Sequence, residues 1–186
     1  MIKFLDLHKI NQPYEAEFQQ QFQQFLDKGW YILGENVRHF EKEFATYCET
    51  KHCIGVANGL DALILIFRAY KQLGKLQKGD EVIVPANTYI ASIIAVLEND
   101  LVPVLVEPDL ETYNINPNEI EKHITSKTKA ILPVHLYGQL CDMKTINEIA
   151  KKRGFVQKGE MIINLAAMPV TDKGMVNTLR VSQIED

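Results

Sequence analysis

Apolar residues recur along this chain with two different periods, and the change falls near residue 53. Before it, Phe18, Phe22, Phe25 and Leu26 stand at i, i+4, i+7 and i+8, one stripe along a Gln-rich segment. That spacing predicts a helix closed by Gly29. Val37, Phe40 and Phe44 repeat the pattern in a second helix. Between them lies Gly29-Trp30-Tyr31-Ile32-Leu33-Gly34, an apolar loop bounded by glycines. Such a loop is expected to pack against this chain's core or against another subunit.

Beyond Cys53, short β-rich runs alternate with helical ones. Strands are predicted over 53–57, 81–85, 102–106 and 130–134, and helices over 58–70 and 90–97. The segment 58–70 is apolar on nearly all sides, which predicts a buried helix. Asn116-Pro117-Asn118-Glu119 opens another helix, with Asn at the N-cap, Pro at N1 and Glu at N3. Asp142 caps the helix holding Ile146, Ile149 and Ala150, and Gly154 stands past its end. Continuous apolar strands alternating with helices imply a mostly parallel sheet covered on both faces, a three-layer α/β/α sandwich. A further strand near 160–165 and a partner near 176–181 suggest a hairpin turning through 169–174.

A chain of 186 residues suits one domain of ordinary size. With 46% hydrophobic and 24% charged residues the composition is globular and argues against disorder. The net charge of −4 leaves no basic excess to neutralise a phosphate backbone, so nucleic acid is not an expected partner. No apolar run approaches the roughly 20 residues of a membrane span. The opening Met1-Ile2-Lys3-Phe4-Leu5-Asp6 lacks the apolar stretch of a signal peptide. Cys48, Cys53 and Cys141 cannot all pair and form no C-x-x-C, which fits a reduced, cytoplasmic setting.

Candidate chemistry collects where strands end. In Gly55-Val56-Ala57-Asn58-Gly59-Leu60-Asp61-Ala62-Leu63 a strand turns through Gly59 into a helix N-terminus. Free backbone N–H groups and the helix dipole favour a phosphate there. A plain βα turn capped by Asn58 fits the same residues equally well. Pro85-Ala86-Asn87-Thr88-Tyr89 follows the next strand, and carboxyl ends of parallel strands are where such sheets bind ligands. Tyr89 there either stacks on a planar cofactor ring or wedges into the core. His135-Leu136-Tyr137-Gly138 ends a third strand. His135 is either a ligand contact or a hydrogen-bonded structural histidine.

In order and with matching spacing, the chain carries Phe4-Leu5-Asp6-Leu7, the Gly29 to Gly34 loop, Phe40-Glu41-Lys42-Glu43-Phe44-Ala45 and the Gly55 to Leu63 segment. Val84-Pro85-Ala86-Asn87-Thr88-Tyr89 and Pro133-Val134-His135-Leu136-Tyr137-Gly138 complete the set. Over about residues 2 to 153 this resembles the DegT/DnrJ/StrS-type nucleotide-sugar aminotransferases, which have the aspartate-aminotransferase-like fold and use pyridoxal phosphate (PLP). The resemblance implies that Gly59, Leu60 and Asp61 hold the PLP phosphate through backbone N–H groups. It implies that Tyr89 stacks on the pyridine ring and that His135 to Gly138 support the cofactor site. Trp30 and Tyr31, with His135, are implied as substrate contacts, the loop lying near a sugar-nucleotide site at a dimer interface. The implied substrates are a nucleotide-linked keto-6-deoxyhexose and, as amino donor, glutamate. The implied state is a homodimer, or self-association through that loop.

The resemblance then breaks. Where the family has an E-D-x-A-Q-like motif, this chain has Met161-Ile162-Ile163-Asn164-Leu165-Ala166-Ala167-Met168. Leu165 takes the place of the Asp that pairs with the pyridinium nitrogen, and Met168 that of the Gln. No counterpart of the family's Ser-x-x-x-x-Lys segment, which carries the Schiff-base lysine, is found, and Lys158 and Lys173 lie in no matching context. Lys158-Gly159-Glu160-Met161-Ile162-Ile163-Asn164, Met168-Pro169-Val170 and Gly174 to Val181 instead resemble the C-terminal strands of a bacterial pyruvate kinase. The expectation is a chimera: residues 1–154 from an incomplete aminotransferase large domain, and 155–186 from a pyruvate-kinase-like tail. On this reading the chain is inactive by itself. The alternative is a non-catalytic fragment that folds and pairs with other subunits.

Overall fold

Helices make up the first of two units, which divide between Gly55 and Val56. The computed structural model describes residues 4–156, 161–169 and 175–183. A short α1 (Leu7–Asn11) starts at Asp6, whose carboxylate accepts the Lys9 N–H at 3.3 Å. A 3-10 turn (Gln12–Tyr14) leads into α2 (Glu15–Lys28). Gly29 closes α2 in the left-handed conformation, φ 65°, which costs a residue without Cβ little. α3 (Glu35–Tyr47) follows, and Lys28 reaches Glu35 at 3.0 Å across the loop between the helices. The expected aromatic stripes form, with Phe22–Phe25 and Phe40–Phe44 stacked at 6.4 and 5.4 Å between centroids. Trp30, Tyr31, Ile32 and Leu33 on the loop are all exposed.

The strand expected over 53–57 is absent. The Gly55 N–H donates to the Glu41 carboxylate at 2.7 Å instead of to a ladder, and Ile54 is exposed. A β-rich run becomes a strand only when a neighbour takes its backbone hydrogen bonds. Among the described residues none does.

The second unit contains the parallel sheet. Its elements are α4 (Gly59–Gln72), β1 (Glu81–Pro85), α5 (Ile90–Leu97), β2 (Val102–Val106), α6 (Pro117–His123), β3 (Thr128–Ile131) and α7 (Met143–Lys152). The strand order is β2-β1-β3, with both neighbours parallel to β1. β1 is apolar throughout its middle because both faces are covered. Val82 and Val84 point to one side, into a cluster with Leu63 and Phe67 of α4 and Ala95 and Val96 of α5. Ile83 points to the other, among Ile120 of α6 and Ile146 and Ile149 of α7. These are the three expected layers. Burying each such side chain contributes about 2 kcal/mol.

β3 ends earlier than expected. Leu132 still donates to the Ile83 carbonyl at 2.8 Å, but Pro133 has no N–H to continue the ladder. α4 is less buried than its composition suggests, with Leu65 exposed on the side away from the sheet. The caps agree with expectation: Asn116 accepts from the Asn118 N–H at 3.0 Å, and Asp142 from the Thr145 N–H at 3.1 Å.

β4 (Met161–Pro169) and β5 (Met175–Gln183) form an antiparallel hairpin in register from Met161–Gln183 to Pro169–Met175. The hairpin is a sheet of its own and does not extend the parallel one. The expected turn at 169–174 falls, after Pro169, outside the described residues, as do Lys158 and Lys173. No helix among the described residues is long and apolar enough to cross a membrane.

Candidate active site

The direction of α4 fixes one corner of the site. Near its C-terminus, Lys71 donates to the Asn99 carbonyl at 2.6 Å and meets Asp100 at 3.4 Å, immediately before β2 at the amino edge of the sheet. A helix of 14 residues spans about 21 Å, so its first turn lies at the opposite, carboxyl edge. There the Asn58 Oδ1 accepts the Asp61 N–H at 2.9 Å, and the Asn58 Nδ2 donates to the Asp61 carboxylate at 3.0 Å. The Asp61 amide, expected among the phosphate donors, is therefore already committed to the cap. The Gly59 and Leu60 N–H groups, at the first two helical positions, have no intrahelical partner. A Cβ placed on Gly59 would meet nothing within 4 Å beyond its neighbours in the chain and helix, so the first turn is not packed against another element at that point.

The β1 loop reaches the same edge. Ala86 N–H donates to the Val106 carbonyl at 2.8 Å, which holds the loop against the end of β2. Tyr89 is the N-cap residue of α5, and its side chain is 77% exposed, so it is not a core wedge. Thr88 and Ser92 hydroxyls meet at 3.0 Å behind it.

His135 ends the third strand run but does not face solvent: only 4% of it is exposed. Its Nδ1 accepts the Cys141 N–H at 3.1 Å, so the neutral ring carries its proton on Nε2. Burial pushes its pKa below the usual histidine value. The Cys141 thiol donates to the Val134 carbonyl at 3.2 Å, and burial pushes that thiol up to about 11. In this structure His135 braces the 134–141 loop from inside. At the tip of that loop Tyr137 is 87% exposed and left-handed, with φ 53° and ψ 23°. Such a conformation costs a bulky residue about 1–2 kcal/mol.

Trp30 and Tyr31 belong to the first unit. Their polar tips are spent locally, the indole N–H on the Ile32 carbonyl at 2.7 Å and the phenol on the Leu26 carbonyl at 3.2 Å. Their rings stay exposed. Sequence reasoning missed Asn87 and Asn114, which join the strand-end loops. Nothing local distinguishes them from ordinary loop asparagines. Among the described residues no group of His, Cys, Asp and Glu is placed to hold a metal ion.

Two helix N–H groups without an intrahelical partner, with an exposed aromatic ring on the next strand-end loop, are groups that a phosphorylated planar cofactor can use. The sequence profile of the DegT/DnrJ/EryC1/StrS aminotransferase family matches residues 12–157. The chain belongs to this family. It is 62% identical over 152 residues to a dTDP-3-amino-3,6-dideoxy-alpha-D-galactopyranose transaminase of Aneurinibacillus thermoaerophilus, covering 82% of this chain and 41% of that one. Among solved structures it resembles DesV of Streptomyces venezuelae in complex with a ketimine intermediate. That match has a TM-score of 0.74, 46% identity, and covers 82% of this chain and 40% of the other. NtdA of Bacillus subtilis, solved with bound PMP, matches at TM-score 0.74 and 36% identity over 82% of this chain and 34% of its own. The chain thus spans about two fifths of the relatives' length. Pyridoxal phosphate is the cofactor at family level.

Proposed function

We propose that this chain is built for PLP-dependent amino transfer to a nucleotide-linked keto-6-deoxyhexose, with glutamate as donor, and that residues 56–156 supply the phosphate and ring side of the cofactor site. The observation that carries this is the pair of N–H groups at Gly59 and Leu60, without intrahelical partners, on the edge that also presents the exposed Tyr89. Bound there, the cofactor supplies an electron sink for moving an amino group. Gly59 and Leu60 hold the phosphate through backbone N–H groups and the α4 dipole. Asp61 keeps the cap closed through Asn58, so the two free donors stay aimed. Tyr89 offers its face to the ring, and His135 holds the neighbouring loop in shape. The exposed Trp30 to Leu33 loop is read as the contact between two copies in a homodimer, with Trp30 and Tyr31 near the sugar.

Leu165 and Met168 stand where the resemblance places the pyridinium-pairing Asp and its Gln, so turnover by residues 1–186 by themselves is expected to be negligible. The test is PLP titration, then borohydride reduction and peptide mass mapping. Reversible binding that inorganic phosphate displaces, with no single lysine modified, is the expected result. One specifically modified lysine would show that the chain carries its own covalent site. No binding at all would refute the cofactor reading.

A second reading concerns the segment 155–186, taken as foreign to the family and of pyruvate-kinase-like origin. In its support, the family match stops at residue 157 and, among the described residues, the hairpin strands pair with each other and not with the parallel sheet. Reading the coding DNA across codons 150–160 decides it. Continuous sequence recurring in relatives would point to a natural fusion, and a discontinuity to an assembly artefact. An aminotransferase continuation in the same frame would overturn the reading.

A further inference from the structure

Three loops leave the carboxyl edge of the sheet, and the peptide units and side chain at 113–114 meet the other two. Asn114 is only 3% exposed. Its Oδ1 accepts the Leu136 N–H at 3.0 Å, and its Nδ2 donates to the Gln139 carbonyl at 3.0 Å. One side chain thus grips the 134–141 loop on both sides of Tyr137. The Asn114 carbonyl accepts the Asp109 N–H at 2.8 Å, which closes its own loop. Next to it, the Tyr113 carbonyl accepts the Asn87 Nδ2 at 2.9 Å, two residues before Tyr89. Tyr113 is left-handed, φ 58°, as is Tyr137. Two bulky residues in that conformation persist only where their surroundings hold them. Each turn has local backbone bonds, Gly138 N–H to the His135 carbonyl and Tyr113 N–H to the Asp109 carbonyl, and the bonds that reach from one loop to another run through Asn114 or the peptide unit beside it.

We propose that Asn114 is the positioning residue of the cofactor face: it fixes the loops that present Tyr89 and Tyr137, so the spacing of the two rings depends on its amide. This rests on the cofactor reading above and adds that Tyr137 shares that face. Asn114 itself touches no ligand. Two part-buried hydrogen bonds to backbone are lost together in Asn114→Ala: the Gln139 carbonyl loses its side-chain donor, and the Leu136 N–H keeps only the Val134 carbonyl, at 2.9 Å.

A matched control exists at the other end of the sheet. Asn99 is also 3% exposed, and its Nδ2 donates to the Ile64 and Ala95 carbonyls at 3.2 and 2.8 Å. Both Asn114→Ala and Asn99→Ala should lower the urea midpoint, since each removes two side-chain hydrogen bonds to backbone. Asn114→Ala alone should weaken PLP binding by about tenfold and diminish the induced circular dichroism of the bound cofactor. Equal weakening by the two variants would make Asn114 merely structural and overturn the proposal. If the unaltered chain binds no PLP, the cofactor reading fails on its own account. Amide hydrogen exchange then judges the coupling. Asn114→Ala should speed exchange at Leu136 and at Ala86 to Thr88, and Asn99→Ala should not. Unchanged exchange in both loops would refute it. Asn114→Asp keeps the acceptor for Leu136 and serves where the alanine variant does not fold.

Discussion

Gly59→Val separates a binding defect from a folding defect at one atom. The added Cβ meets no protein atom within 4 Å, so the fold has room for it. Valine and glycine differ by only about 0.3 kcal/mol in helix preference, and at the first helical position less of that applies. Stability should therefore change by no more than about 0.5 kcal/mol. Binding is another matter. The added side chain stands at the first turn beside the Gly59 and Leu60 N–H groups and is expected to hinder close approach of the phosphate proposed there. A hydrogen bond to a charged group is worth about 1.5–3 kcal/mol, so losing one costs roughly 10- to 100-fold in affinity. Asp142→Ala is the comparison. It removes the cap bonds to the Thr145 N–H and hydroxyl, at 3.1 and 2.6 Å, on the opposite layer. That should cost about 1 kcal/mol of stability and leave PLP affinity unchanged. Fluorescence titration with PLP and urea denaturation of both variants give the four numbers. Equal losses of affinity would place the phosphate elsewhere, and a stable Gly59→Val variant with full affinity would refute the cradle.

Three more expectations can be measured on the same protein. His135 has a lowered folded pKa, so the unfolded chain binds the extra proton first. Stability should be full above the unfolded value of about 6.5 and fall as pH drops through it toward the folded value, so the urea midpoint should be lower at pH 5.5 than at 7.5. His135→Gln should flatten that difference, and an unchanged slope would assign it to other groups. Cys141, buried and with its pKa raised to about 11, should resist iodoacetamide at pH 8 until urea unfolds the chain. Rapid labelling of the folded protein would contradict its burial. Ile83→Ala empties a fully buried position at the centre of the sheet and should cost about 3–4 kcal/mol in urea, with a loss under 1 kcal/mol arguing against the two-sided core.

The sequence by itself determined the elements whose signals are local. The caps at Asn58, Asn116 and Asp142 each close through a bond to a residue two or three positions on. Gly29 and Gly154 end their helices through their own positive φ. The apolar run at 81–85 foretold a strand covered on both faces, because its alternate residues must each find a core. Tertiary structure decided what depends on distant partners. The 53–57 run had the composition of a strand and lacked a ladder, and Pro133 cut the third strand short. The hairpin chose its own pair over the edge of the parallel sheet. His135 turned inward because the Cys141 N–H was there to meet it, a bond that spacing does not announce. Asn87 and Asn114 act across 22 to 26 residues of sequence, so only the folded sheet brings their partners within reach. A capping bond is set by the few dihedral angles between its ends, whereas a clamp between loops exists only after the strands beneath have fixed where each loop begins.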